Sequence, residues 1–410
     1  MDGVRARRLI LAAAAAGLLL RLAFGFLYWT GKPMTQDERE YLALAGSVID
    51  GKGFTYPETH ETGTGQRFSR APGYVALLAA LGARTAPAAP TRVKAVNAIL
   101  GAVSVWIIGL LAFRGGGPRA GVLAAAMAAV YPPLVWLPSY VFSESLYMPL
   151  ALGCILLLLT AQDHFDRQGR HGLANALVIA AGLLAGTAAL VRSAMLLFLP
   201  LAALWFVRRK QWPFALAFCV AAALVVSPWT LRNIQKHGRL IVVAADGGVT
   251  FWTGNHPLAR GEGDLAANPE LKRAEIAFRH AHGPMPVESL EPLYYADALQ
   301  RITDDPAWWL RLLAAKAFYT VVPVGPSYTL HSPRYLMASL IAYGLVAPLG
   351  IAGIVRMLRT GRGTPLLLLA ASVILTALIF FPQERFRIPV LDPTLIIGAS
   401  ILLTGAPPRR

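Results

Sequence analysis

The chain has 410 residues, 56% of them hydrophobic and 15% charged, with a mean hydropathy of +0.52, which excludes an ordinary soluble domain and points to an integral membrane protein. The formal net charge of +16 comes from basic residues in short loops beside apolar segments, a topology signal that excludes a nucleic-acid surface. Cys154 and Cys219 both fall within apolar runs, where a disulfide framework has no role.

Apolar runs of about 17 to 25 residues cross roughly 30 Å of hydrocarbon as helices, and helices satisfy their own backbone groups, so an all-α polytopic membrane protein is expected. Arg5, Arg7 and Arg8 hold the N-terminus in the cytoplasm, and residues 9–29 form a retained first span, too long for a signal peptide and without a cleavage site. Residues 30–71 are then an extracytoplasmic loop. Residues 72–83 are too short to span and are placed as an interfacial helix. Further spans are expected at about 93–113, 120–138, 145–161, 172–190, 194–207 and 213–229. The basic loops at Arg114 to Arg119, Asp163 to His171 and Arg208 to Lys210 lie in the cytoplasm.

The polar stretch 230–333 is expected to be a small extracytoplasmic α/β subdomain, with Trp308 to Tyr319 lying on the membrane surface. Spans at about 335–355, 365–381 and 388–404 complete a set of about ten, with Arg356, Arg359, Arg362, Arg409 and Arg410 inside. The expected organisation is thus an N-terminal transmembrane module, 1–229, that carries a catalytic first outer loop, 30–71. The subdomain 230–333 and C-terminal transmembrane helices, 334–410, follow it. No internal repeat stands out, which disfavours a secondary transporter.

On this topology the costly polar residues gather on the outer face: Asp37, Glu38, Arg70, Glu144, Arg192, Arg232, Glu384, Arg385 and Arg387. A carboxylate there can take the proton of an acceptor hydroxyl, while arginines clamp a phosphate that leaves with growing negative charge. Direct attack of this kind needs no covalent intermediate and inverts the anomeric centre. It suits a polyprenyl-phosphate sugar as donor, since nucleotide sugars are scarce outside the cytoplasm. Plainer readings stand beside this one. Asp37 and Glu38 suit the first turn of a helix through Val48, and Glu144 suits an N-cap. Arg70, Arg192 and Arg232 suit interfacial anchors, and Arg385 and Arg387 suit pairing with Glu384.

Several short motifs occur in order: Asp37-Glu38 with Tyr41, Arg70-Ala71-Pro72-Gly73-Tyr74, Ser143-Glu144-Ser145-Leu146, Ser227-Pro228-Trp229-Thr230-Leu231-Arg232-Asn233, Gly247-Gly248 and Gly254-Asn255. Together they resemble bacterial members of the dolichyl-phosphate-mannose protein mannosyltransferase superfamily. That is glycosyltransferase family 39, with the C-type (GT-C) membrane fold, to which the aminoarabinose transferase of lipid A is related. The resemblance implies that the acidic residue of the first outer loop, Asp37, is catalytic with Glu38 as its neighbour, and that Glu144 is the second acidic position. Arg70, Arg192, Arg232, Arg385 and Arg387 are the candidates for the donor phosphate, and Tyr41, Tyr74, Glu144 and Asn255 for substrate contact. The chain has no room for the lectin-like domain of eukaryotic protein mannosyltransferases, so protein O-mannosylation is not implied.

No cofactor is required by this chemistry; a divalent metal ion, if one binds, falls to Asp37 and Glu38. His256, His280 and His282 lack a compact ligand spacing. The partners expected are the lipid bilayer, a polyprenyl-phosphate sugar and an extracytoplasmic acceptor, at a bacterial inner membrane with the site on the periplasmic face. The competing readings are a transporter or lipid flippase, which requires ionisable groups in mid-helix or broken spans in matched halves, and a structural subunit of an envelope assembly.

Overall fold

Apolar length dictates the architecture seen in the structure, a computed structural model that describes residues 1–56, 70–168, 171–263, 265, 267–283, 285, 287–323, 332–361 and 363–405. The glycine-containing part of the first loop, 57–69, and the basic residues Arg170, Arg362, Arg409 and Arg410 lie outside the described residues. The chain opens with α1 (Gly3–Ala23), which continues through a wider-turn segment, Phe24–Tyr28. Two shorter helices, α2 (Gln36–Ile49) and α3 (Pro72–Ala80), follow, and α3 packs against α2. At nine residues α3 is too short to cross, as expected of an interfacial helix.

Next come α4 (Thr91–Gly116), α5 (Pro118–Val130), α6 (Pro132–Trp136), α7 (Glu144–Gln168), α8 (His171–Val191), α9 (Phe198–Arg208) and α10 (Trp212–His237). Among the described residues six helices are long and apolar enough to cross a membrane, or seven if the pair Pro118–Val130 and Pro132–Ser139, bent by 63°, is one span. Three shorter apolar helices, Ser193–Arg208, Thr364–Ile379 and Leu391–Leu403, stand among them.

The α/β subdomain expected over 230–333 is corrected by the structure: its described residues form α11 (Gly247–Gly254), α12 (Pro269–Ala281), α13 (Val287–Asp304) and α14 (Pro306–Val321), with no strand. The physical reason lies in capping and period. Asn268 and Asp305 accept hydrogen bonds from Leu271 and Trp308 N–H as N-caps, each followed by proline at the first helical position, where its missing N–H costs nothing. Leu290, Tyr294 and Ala298 repeat every four residues and bury one face of α13 against Trp252 and Leu271, which is a helical rather than a strand period. The remaining elements are α15 (Pro333–Thr360), α16 (Thr364–Ile379), α17 (Glu384–Arg387) and α18 (Leu391–Leu403).

The helical layer is joined to the last membrane hairpin at α11. A Cβ on Gly254 would stand 2.0 Å from the carbonyl oxygen of Phe380, so only glycine lets α11 lie directly on the 380–387 loop. Asn255 completes the joint: its amide nitrogen donates to Phe251 and Ile379 carbonyl oxygens at 2.9 Å each, and its oxygen accepts from Trp309 Nε1 at 3.0 Å and Lys316 Nζ at 2.9 Å.

The break between α5 and α6 shows how the bundle handles backbone groups without water. Pro132 and Pro133 have no N–H, so the carbonyls of Ala128 and Ala129, four residues earlier, lose their helical donors. Arg21 of α1, buried at 1% exposure, donates through Nη2 to Ala128 O and through Nη1 to Ala129 O, both at 3.2 Å. Arginine here replaces the missing backbone donors, which explains a cation inside an apolar helix. Replacing Arg21 with alanine leaves both carbonyls unsatisfied and should destabilise the protein by about 3 kcal/mol. Thermal unfolding in detergent measures this, and an unchanged midpoint contradicts the assignment.

Candidate active site

Two adjacent carboxylates on α2 turn to different partners. Thr35 is the N-cap and Glu38 the third helical residue, and they form a capping box: Glu38 N–H donates to Thr35 Oγ1, while Thr35 N–H donates back to the Glu38 carboxylate at 2.7 Å. The other Glu38 oxygen accepts from Val141 N–H at 2.9 Å, tying α2 to the segment that leads into α7. Glu38 is 2% exposed and its oxygens are occupied by Thr35 and Val141. Asp37 lies about 100° around the helix from it and shares a face with Glu40 and Tyr41, three and four residues on.

That second face meets three arginines brought from distant parts of the chain. Arg70, just before α3, donates from Nη2 to Asp37 Oδ1 at 2.5 Å and from Nε to Glu40 Oε2 at 3.0 Å. Arg385, in α17, donates from Nη2 to the other Asp37 oxygen and from Nε to Gln383 Oε1 at 3.1 Å. Arg192, at the end of α8, lies 2.8 Å from Glu144 Oε1, outside hydrogen-bond angle, and donates to Ser143 Oγ at 3.2 Å. Arg385 Nε approaches the same Glu144 oxygen at 3.7 Å, so the clusters around Asp37 and Glu144 are one network. Aromatic faces carry the guanidiniums: Tyr41 under Arg70 at 5.4 Å, Phe386 under Arg192 at 4.8 Å and Phe142 under Arg385 at 4.7 Å. Tyr41 also donates its hydroxyl proton to Ser143 Oγ at 3.1 Å.

Three guanidiniums thus meet the carboxylates of Asp37, Glu40 and Glu144, a balanced set of charges. Asp37, Arg70 and Arg385 side chains keep 25%, 21% and 22% of their surface, so an anion can reach them from outside, whereas Glu144 at 1% cannot be reached. Burial alone would raise the Asp37 carboxyl, but Arg385 and Arg70 outweigh it and hold the group well below the usual carboxylate range. Burial works against the charge of Arg70 and Arg385 too, and their carboxylate partners, Asp37 first, overcome it and raise both above the ordinary arginine value. Burial pushes Glu38 up, against the N–H groups of Val141 and Thr35.

These surroundings do not fit a divalent ion on Asp37 and Glu38. Asp37 presents both oxygens to cations, and Glu38 faces its cap, so the two carboxylates do not converge on one point. Among the described residues no group of three or more His, Cys, Asp and Glu side chains could hold a metal ion.

The remaining candidates have other partners in the structure. Arg387 pairs with Asp392 at 3.0 Å and lies over the Tyr343 ring at 3.9 Å, buried between α17 and α18. Arg232 stacks on Trp229 at 4.7 Å and donates to Asn233 Oδ1 at 3.0 Å. Tyr74 is fully buried behind Tyr41, with Asn97 Nδ2 donating to its hydroxyl at 3.1 Å, and Asn255 serves the α11 joint. Glu40, paired with Arg70, is the cluster residue that the sequence reading did not name; its spacing of three from Asp37 on one helix was the available signal. Because Glu38 is structural in this geometry, Glu38→Ala should lower stability by about 2 kcal/mol through lost hydrogen bonds, read as the unfolding midpoint in detergent. An unchanged midpoint counts against that reading.

No protein-family model matches the chain, and no curated protein sequence does. Solved structures do match. An oligosaccharyltransferase of Archaeoglobus fulgidus in complex with Zn and sulfate superposes with a TM-score of 0.58 at 16% identity, over 97% of this chain and 49% of that one. The oligosaccharyltransferase AglB of the same organism, in complex with an inhibitory peptide and a dolichol-phosphate, gives 0.58 at 15% identity, over 97% and 50%. ArnT from Cupriavidus metallidurans bound to undecaprenyl phosphate aligns over 95% and 77% at 13% identity, with a TM-score of 0.43. The chain spans about half the length of the oligosaccharyltransferase structures it matches. The chain thus shares the fold of these oligosaccharyltransferases, the C-type membrane glycosyltransferase fold that the sequence motifs imply.

Proposed function

We propose that the chain is an inverting glycosyltransferase that moves a sugar from a polyprenyl-phosphate donor to an acceptor outside the cytoplasm, at a bacterial plasma membrane. The observation that carries this reading is the convergence of Arg70, Arg192 and Arg385, from three separate parts of the chain, around Asp37 and Glu144 at one end of an apolar bundle. Planar guanidiniums on aromatic supports, open on one side, suit a phosphate oxygen better than a lone lysine would. An anion presented there on an apolar tail would have its tail in the bilayer. A dolichol-phosphate is bound by one of the archaeal proteins of this fold, which is a lipid of the proposed class.

In this reading ten segments cross the membrane: the six long helices, the bent α5–α6 pair and the three shorter apolar helices. Residues 1–229 and 334–410 supply the membrane body, and 230–333 covers the site. Arg114 with Asp163, and Arg209 with Asp166, lie at the ends of α4, α7 and α9 away from the cluster, which favours a cytoplasmic position for that end. Arg21 is committed to backbone carbonyls and Arg387 to Asp392, so the bundle's buried charges do not line a transport path.

The carboxylates hold the arginines in position before the donor arrives, and phosphate oxygens then exchange for carboxylate oxygens. As the bond between the anomeric carbon and the phosphate oxygen breaks, its electron pair goes to phosphate, where Arg70, Arg192 and Arg385 receive the added charge. Asp37 positions two of them at once. Once phosphate oxygens have replaced it on the guanidiniums, its carboxylate takes the proton of the acceptor hydroxyl as that oxygen bonds to the anomeric carbon.

Asp37→Asn should keep the fold and lose transfer by about 100-fold or more. The assay is transfer of radiolabelled sugar from the membranes' own polyprenyl-phosphate pool at matched expression, and equal label in both proteins contradicts the reading. Arg192→Ala combined with Glu144→Gln, which leaves no lone buried carboxylate, should weaken polyprenyl-phosphate binding and slow transfer together. Unchanged binding in that variant removes Arg192 from the donor site.

A further inference from the structure

Arg385 reaches the arginine cluster on a short loop, and a neutral side chain of that loop fixes its guanidinium. Gln383 Oε1 accepts from Arg385 Nε at 3.1 Å, and Gln383 Nε2 donates to Gly263 O at 3.0 Å. We propose that Gln383 is a positioning residue of the phosphate site, through which the segment 255–263 after α11 sets the place of Arg385. This rests on the glycosyltransferase reading above and deepens it, since it names what holds the arginine while phosphate replaces carboxylate on it.

The geometry admits one amide orientation. The Arg385 Nε–H only donates and the Gly263 carbonyl only accepts, so the Gln383 oxygen faces the arginine and its nitrogen the glycine; turning the amide over loses both bonds. Asp37 holds Arg385 elsewhere, through Nη2. When phosphate oxygens take the place of that carboxylate, the ion pair to Asp37 is given up. Gln383 stays on Nε and carries no charge, so it keeps the guanidinium oriented without competing with phosphate for it. The rings of Phe142 at 4.7 Å and Phe386 at 5.2 Å support the same guanidinium.

The segment 255–263 is built to hold this loop. Gly263 N–H donates to Pro382 O at 3.2 Å, so Gly263 uses both its backbone groups on residues 382 and 383. A Cβ on Gly263 would fall within the Phe381 ring, so only glycine lets Phe381 lie there. Phe381 in turn stacks on Phe386 with 6.2 Å between centroids, and Phe386 lies under Arg192 as well as Arg385. Two residues earlier Gly261, at φ +87°, brings the segment onto α14, where its Cβ would stand 2.7 Å from that of Ala315. Asn268, the N-cap of α12, donates from Nδ2 to Leu258 O at 2.8 Å and ties the segment to that helix. The outer segment therefore reaches two of the three site arginines, Arg385 by hydrogen bonds through Gln383 and Arg192 through stacked rings.

Removing the Gln383 amide leaves the charge of Arg385 in place and takes away only its orientation. The loss is therefore selective for the charged end of the donor, and it extends to the transition state, in which the leaving phosphate gains charge.

The test measures binding of undecaprenyl phosphate and of uncharged undecaprenol in nanodiscs, with label transfer in membranes, for wild type, Gln383→Ala, Gly263→Ala and, as reference, Arg385→Ala. In Gln383→Ala the affinity for the phosphate lipid should fall about 10-fold and kcat should fall with it, while undecaprenol binding and the unfolding midpoint stay unchanged. Gly263→Ala should show the same selective loss, although Gly263 touches no arginine. Wild-type phosphate affinity in either variant, beside a loss in Arg385→Ala, overturns the assignment and leaves the glycosyltransferase reading intact. An equal loss for both lipids in Gln383→Ala with a lowered midpoint does the same, since it marks a purely structural role. A wild-type protein without preference for the phosphate lipid, or an Arg385→Ala variant that keeps the preference, overturns both.

Discussion

Asp37 lies between two guanidiniums, and this double ion pair closes the chain on itself: Arg70 is 33 residues away and Arg385 is 348. A partly buried carboxylate with two cations is favourable only while both are in place, because each group left alone would be a charge out of water. The first loop, the end of α8 and the loop before α18 are therefore held together by the same atoms that form the proposed phosphate site. Aromatic rings beneath each guanidinium fix its plane, so the cluster is organised before any ligand arrives.

The membrane imposes the other constraint, that every backbone polar group finds a partner inside the protein. Arg21 supplies donors to the two carbonyls orphaned by Pro132 and Pro133. Lys94 does the same for the wider-turn segment after α1, donating to Gly25 O at 3.2 Å and Trp29 O at 2.6 Å. Arg21 stands in the last turn of α1 and Lys94 in the first turn of α4, and each is spent on a local break in hydrogen bonding. Their partners argue for structure rather than for a conduction path.

The apolar helices were legible in the sequence because apolar length maps onto bilayer thickness; each expected segment from 9–29 to 388–404 falls on a helix or on the bent pair, and among the described residues six of them, or seven with that pair, are long enough to cross. The 230–333 segment was misread because its turn residues suggested short mixed elements, while the four-residue repeat of Leu290, Tyr294 and Ala298 and the caps at Asn268 and Asp305 decide for helices. Asp37, Arg70, Arg192, Glu144 and Arg385, singled out in the sequence by type and position, are brought together in one cluster. Glu38 was drawn in by adjacency, although a carboxylate three residues after Thr35 is also what a capping box requires. Glu40 was passed over, although helical spacing puts it beside Asp37. Arg232 and Arg387 shared the composition of site arginines, but their partners, Trp229 and Asp392, appear only when the chain is folded.

The central claim is that the arginines around Asp37 form a phosphate site for a membrane-borne ligand. It is tested most directly by binding of undecaprenyl phosphate and of uncharged undecaprenol to the purified protein in nanodiscs. The account predicts that the phosphate lipid binds at least about 10-fold tighter, a difference of about 1.4 kcal/mol, and that Arg70→Ala removes the preference. Equal affinity for the two lipids would contradict it.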